Sequence, residues 1–96
     1  MFLNNMELII SNKANKEINK SKEYYNNQKD NLGYEFKNDV KNLPISIKKF
    51  PYIYPNVTNN IKRCLLHRFP FSIFYAIKND FIIILSVAHQ YKKPEF

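Results

Sequence analysis

From Arg63 to the end, the chain brings together Arg63, His67, Arg68, His89, Tyr91, Lys92 and Lys93. Those residue types can handle a phosphate group. Guanidinium and ammonium groups neutralise phosphate oxygens, while imidazole and phenol give or take a proton. They are threaded through the apolar stretch "CLLHRFPFSIFYAIKNDFIIILSVAHQYKKPEF", so the same residues also have to serve a strand-rich core edge. Alternation along a strand sends Arg63, Leu65, His67 and Phe69 one way and Lys62, Cys64, Leu66 and Arg68 the other. Arg63 and Arg68 therefore share a face only if a bulge intervenes, and one of them at most meets a given ligand. His89 closes the last apolar run, and Tyr91 follows on the same face while the strand persists.

Each of these residues also has a plainer role. Arg63 can be a phosphate or partner contact, or a solvated strand residue. Arg68 can bind a ligand, or sit on a hairpin shoulder and pair with a carboxylate. His67 is a possible base, although a lone strand histidine is more often packed and hydrogen-bonded, and His89 can equally bind backbone at the end of its strand. Lys92 and Lys93 form an electrostatic landing strip for any polyanion. Tyr24, Tyr25, Tyr52 and Tyr54 can stack on bases or lie half-buried at an edge.

The elements that must position these groups divide the chain in two. "MELIIS" (6–11) reads as a first strand, with Ser11 or Asn12 available to cap a helix. From Ala14, the spacing of Ala14, Ile18, Ser21 and Tyr25 predicts a helix with one narrow packing stripe. Residues 31–33 contain Gly33, the one glycine of the chain, and read as the turn between two antiparallel helices. Leu32, Phe36, Val40, Leu43 and Ile47 form the stripe of the second helix. Pro44 predicts a kink or restart there, with Asn42 as the new cap.

Residues 50–60, with Pro51 and Pro55, read as an irregular connector. Thereafter the period changes to two. Residues 60–69, 71–78 and 81–91 read as three strands joined at Pro70 and at an Asn79–Asp80 hairpin turn, with Phe71, Phe74, Tyr75 and Phe81 in the core. The expected architecture is an α+β β-α-α-β-β-β sandwich, an antiparallel meander sheet joined by the first strand, with a two-helix hairpin packed on one face.

Composition narrows the function. The chain has 96 residues, enough for one domain with a single modest core. Residues 1–40 carry six lysines against six acids. Residues 41–96 carry nine Lys or Arg against Asp80 and Glu95, so the whole excess of +7 lies in the second half. Such a field favours an anionic partner: nucleic acid, an acidic protein segment or a membrane surface. Cys64 is the one cysteine, which excludes an internal disulfide and favours a reducing, cytoplasmic setting. The start lacks the pattern of a signal peptide, and no apolar run is long enough to span a bilayer. With no metal-ligand spacing, phosphate-binding glycine loop or serine nucleophile motif, no cofactor or metal is expected.

The order of elements, "GYEF" (33–36) after the first helix, "RCLLHRFPFSIFYAI" (63–77) and the closing "VAHQYKKP" (87–94) resemble the RelE/ParE family of bacterial type II toxins, over almost the whole chain. The resemblance implies a small growth inhibitor of the kind tied to plasmid stabilisation, neutralised by a cognate antitoxin. RelE-type members cut mRNA in the ribosomal A site without a metal; ParE-type members act on DNA gyrase. "HQYKKP" looks closer to the ParE-like end. Arginine often follows that histidine in the family, whereas this chain has Tyr91, Lys92 and Lys93, and lysine cannot form the bidentate fork that arginine makes to phosphate. Arg63 falls where the family pattern has arginine. Lys48 and Lys49 fall where the RelE-type pattern has catalytic lysines, although the dipole of the second helix would favour cations there in any case. For a nuclease the resemblance points to Arg63, His89 and Tyr91; for partner binding, to Lys48, Lys49, Arg68, Lys92 and Lys93. A degenerate toxin that only binds antitoxin is the third expectation.

Overall fold

The computed structural model describes residues 6–91, with backbone alone for 43–45. Strand β1 (Glu7–Ile10) leads into helix α1 (Asn12–Gln28) and helix α2 (Leu32–Lys49). Strands β2 (Asn56–Thr58), β3 (Ile61–Leu65), β4 (Phe71–Lys78) and β5 (Phe81–His89) follow.

Ser11 starts α1. Its extended backbone (φ −65°, ψ 158°) lets Oγ accept the Ala14 N–H at 3.1 Å, while the same hydroxyl donates to the Leu85 carbonyl of β5 at 3.2 Å. One side chain thus caps the helix and ties it to the sheet. Ala14 and Ile18 are buried, and Tyr25 packs against the same core.

The helix turn differs from the expectation. Asn31 takes the left-handed conformation (φ 68°), and Gly33 lies inside the first turn of α2. What Gly33 supplies is closeness: a Cβ there would lie 2.0 Å from the Lys22 carbonyl oxygen and 2.7 Å from Asn26 Cγ. Its N–H donates to Asn26 Oδ1 at 2.7 Å, so the two helices touch through backbone. Among the described residues, Asn60 (φ 69°) and Asn79 (φ 55°) take the other two left-handed positions, both between strands. Helix α2 also continues through Pro44 without restarting. Proline removes one hydrogen bond, but Ile47, fully buried beyond it, anchors the last turn to the core. Leu43, expected in the stripe, belongs to the backbone-only segment.

The sheet order is β1-β5-β4-β3-β2. The three long strands do form the expected meander, but the whole sheet is mixed: β1 runs parallel to β5, with Glu7 opposite Phe81 and Ile10 opposite Ile84. A parallel neighbour needs a crossover, and the helical hairpin begins it. The connector also holds a strand that alternation could not reveal. All three residues of β2 are exposed, and it exists by pairing with β3 across the tight turn at Asn59 and Asn60.

The helices cover one face of the sheet. Phe36, Ile47, Ile73, Tyr75, Ile82, Ile84 and Val87 are almost wholly buried between the layers. Phe81, expected in the core, is 38% exposed at the start of β5. Between β4 and β5 the register slips: Phe74 faces Ser86 while Tyr75 faces Ile84, leaving Leu85 as the extra residue. This bulge brings Ser86 and Val87, consecutive residues, into the buried layer under α1.

Candidate functional site

Two clefts open on either side of an aromatic cluster. Tyr25, Phe36, Phe69 and Phe71 form that cluster, with ring centroids 4.8 to 6.1 Å apart. The first cleft, about 640 Å³, runs between α2 and the β3 segment, lined by Asp39, Asn42, Ser46, Tyr54, Leu66, His67 and Arg68, with Arg63 at its edge. The second, about 500 Å³, lies between α1 and the end of β5, lined by Glu17, Lys20, Tyr24, Tyr25, Phe71 and His89.

His89 and Tyr91 come together at the second cleft. Their rings lie 5.3 Å apart, and the Tyr91 N–H donates to His89 Nδ1 at 3.2 Å. A neutral imidazole that accepts at Nδ1 carries its proton on Nε2. The ring also meets Phe71 edge-on at 5.4 Å, which fixes it on the helix side of the sheet. Tyr91 is 86% exposed.

Arg63 stands elsewhere. It faces Phe74 across the β3–β4 ladder, and alternation from the buried Cys64 turns its side chain to the face away from the helices. It is exposed and makes no ion pair among the described residues. Arg68 is committed to α2: its guanidinium contacts Glu35 at 2.6 Å and Asp39 at 3.7 Å, and covers the Phe69 ring at 5.5 Å. The hydrogen bond to Glu35, then the charge of Asp39, holds its pKa above the ordinary value. His67 is exposed in the first cleft. Lys48 and Lys49 are exposed in the last turn of α2, where the helix dipole favours cations. Lys92 and Lys93 lie outside the described residues.

Among the tyrosines, Tyr24 and Tyr52 are exposed, and Tyr25 and Tyr54 pack against the core. Cys64 is buried, and burial raises its thiol pKa against the opposing hydrogen bond from Tyr54. It is therefore a poor nucleophile. Burial, with neighbouring Cys64 and Tyr54, also pushes the Tyr75 phenol far up, and its hydroxyl donates to the Pro51 carbonyl at 2.8 Å. Among the described residues, no group of three or more His, Cys, Asp or Glu could hold a metal ion, and no helix is long and apolar enough to cross a membrane.

Glu17 escapes a reading by helical spacing, because it lies next to the stripe residue Ile18. Beyond Ile84, β5 has no β1 partner, and the Glu17 carboxylate takes that place. Oε1 accepts the Val87 N–H at 3.0 Å and the Ser86 hydroxyl at 2.9 Å, and Lys13 lies 3.9 Å from Oε2. A carboxylate near a serine 69 positions away leaves no mark in the sequence.

A two-helix hairpin on one face of a five-stranded mixed sheet, edged by cations and a terminal histidine, is the build of a small toxin of the RelE/ParE type. The family model described as ParE toxin of type II toxin-antitoxin system, parDE, matches residues 8–94, and the chain belongs to this family. Its fold is similar to that of a solved chain from the chromosomal ParDE TA system of P. aeruginosa, with a TM-score of 0.80 at 18% identity, covering 88% of this chain and 95% of that one. No curated protein matches the sequence.

Proposed function

We propose that this ParE toxin arrests growth by binding DNA gyrase, without cutting RNA, and that a cognate antitoxin silences it by covering its basic surface. The observation that carries this reading is the separation of Arg63 from the His89–Tyr91 pair by the thickness of the sheet. Cleavage of a phosphodiester needs a base, an acid and a cation converging on one phosphate. His89 and Tyr91 could carry protons, but neither arginine joins them: Arg63 turns away and Arg68 is paired with Glu35, which leaves Lys20 as the cation of their cleft, a point charge without the bidentate fork that arginine offers a phosphate.

A binding mode needs only a shaped, charged surface, and here the charge is one-sided. From Val40 to Asn79 the chain carries Lys41, Lys48, Lys49, Lys62, Arg63, Arg68 and Lys78, and no acid. Lys48, Lys49 and Arg63, with Lys92 and Lys93 beyond the described residues, serve as contacts to the target or to an acidic antitoxin segment, Arg68 joins them through the exposed part of the guanidinium that Glu35 and Asp39 leave open, and the encounter takes place in the cytoplasm.

The test is supercoiling of relaxed plasmid by purified gyrase with the chain added. Inhibition that the co-purified antitoxin relieves supports the reading. Unimpaired supercoiling, with new mRNA ends in the A-site codon of chain-treated ribosomes, would replace it with the nuclease.

A further inference from the structure

The loop at 50–55, between α2 and β2, exposes three large apolar side chains and is nevertheless tied down at almost every backbone position. Phe50, Tyr52 and Ile53 are 56, 65 and 68% exposed. Beneath them, the Tyr75 hydroxyl holds the Pro51 carbonyl at 2.8 Å from inside the core. Lys62 Nζ donates to the carbonyls of Tyr54 at 3.0 Å and Tyr52 at 3.5 Å, and the Arg63 N–H donates to the Pro55 carbonyl at 3.0 Å. Phe50 N–H closes α2 on the Ser46 carbonyl, and Ile53 N–H donates to the Phe50 carbonyl. A loop so pinned gives up little further entropy when its side chains are buried by a partner.

We propose that this loop is a docking knob that places Phe50, Tyr52 and Ile53 in an apolar pocket edged by carboxylates on a protein partner. Charge complementarity selects the carboxylates: Lys48 and Lys49 precede the knob, Lys62 lies under it, and no acid occurs between Val40 and Asn79. The side chains select protein. Ile53, the most exposed of the three, has no π-face on which a base could stack, and the knob contains no arginine. A lipid surface is met by a continuous apolar helix face, whereas the exposed residues of α2 leading to the knob include the polar Lys41, Asn42, Ser46, Lys48 and Lys49. Taken with the reading above, on which this step rests, the pocket belongs to the target.

The test uses the full chain carrying Phe50→Ser, Tyr52→Ser and Ile53→Ser together. All three side chains are exposed, so a thermal melt should be unchanged. Affinity for purified gyrase is expected to fall at least tenfold. Lys49→Glu should weaken binding and its salt dependence, and Lys49→Arg should retain both. A triple variant that binds gyrase and arrests growth like the parent overturns the proposal.

If the parent itself does not bind gyrase, the target assignment fails and growth arrest decides the knob. Arrest lost in the triple variant at equal abundance supports a different protein partner; arrest retained overturns the knob. Binding of the parent to phosphatidylglycerol vesicles or to single-stranded DNA, lost in the triple variant, would assign the loop to lipid or nucleic acid and overturn the protein pocket.

Discussion

Replacing Glu17 by alanine should cost the fold about 3 kcal/mol, and the reason lies in the edge of β5. Strand β1 stops opposite Ile84, so the Val87 amide beyond it depends on Glu17 Oε1 at 3.0 Å, and the Ser86 hydroxyl depends on the same carboxylate. Val87 is 1% and Ser86 0% exposed, so water does not readily replace the lost acceptor. A stranded buried donor costs about 1–3 kcal/mol. Two such donors give about 2–6 kcal/mol, and the partial exposure of Glu17, 29%, places the loss in the lower half of that range, at about 3 kcal/mol.

Glu17→Gln keeps an acceptor at Oε1 and forfeits only charge assistance, about 1 kcal/mol. Ser86→Ala alone should also cost about 1 kcal/mol, and the double variant should be less damaged than the sum, because the serine donor is no longer there to be stranded. Urea unfolding followed by circular dichroism gives all four values. For a domain of this size each kcal/mol moves Tm by about 4–8 °C, so Glu17→Ala should melt roughly 12–24 °C below the parent. A loss under about 1 kcal/mol, or equal damage from glutamine and alanine, would refute the role given to this carboxylate.

Three further outcomes follow from the packing. Gly33→Ala should destabilise by at least about 3 kcal/mol or prevent folding, because its Cβ would strike the Lys22 backbone oxygen, which no rotamer change can relieve; a parent-like melt would contradict the close helix contact. Tyr75→Phe should cost about 1–2 kcal/mol by stranding the Pro51 carbonyl, and amide exchange in loop 50–55 should quicken; unchanged exchange would show that the hydroxyl does not hold the loop. Burial raises the pKa of Cys64, Tyr54 and Tyr75, so the folded chain keeps these protons more tightly than the unfolded one. Their contribution is full below the ordinary thiol value of 9.0 and is lost as pH rises, at up to about 1.4 kcal/mol per pH unit for each group. Cys64→Ala should delay the onset toward the phenol value of 10.0, as urea midpoints between pH 8 and 11 would show.

The parts of this fold that buried side chains specify were legible in the sequence. The stripe of Phe36, Val40 and Ile47 marks the packed face of α2, the apolar run of residues 71–78 marks a central strand that is buried on both faces from Phe71 to Tyr75, and both elements stand where the patterns put them. Features held by backbone were not legible. Strand β2 has no buried residue, the parallel placement of β1 is a matter of topology, and the helix turn uses a left-handed asparagine where the lone glycine seemed the obvious choice.

The candidate site divides in the same way. The two-residue spacing pointed to the His89–Tyr91 contact, although β5 ends at His89 rather than at Tyr91 and the contact is made across the turn that follows, and the carboxylate alternative for Arg68 corresponds to its bond with Glu35. That Arg63 and His89 lie on different faces depends on register across three strands and on the bulge at Leu85, and a single sequence does not encode register in a readable form.

We propose that this ParE toxin works by binding gyrase and not by cutting RNA. The most direct measurement titrates the purified chain into gyrase supercoiling of relaxed plasmid, with primer extension on chain-treated ribosomes run from the same preparation. Gyrase binding predicts dose-dependent loss of supercoiling, relieved by the antitoxin, and intact mRNA. Full supercoiling beside A-site cuts that disappear in a His89→Ala variant would contradict it.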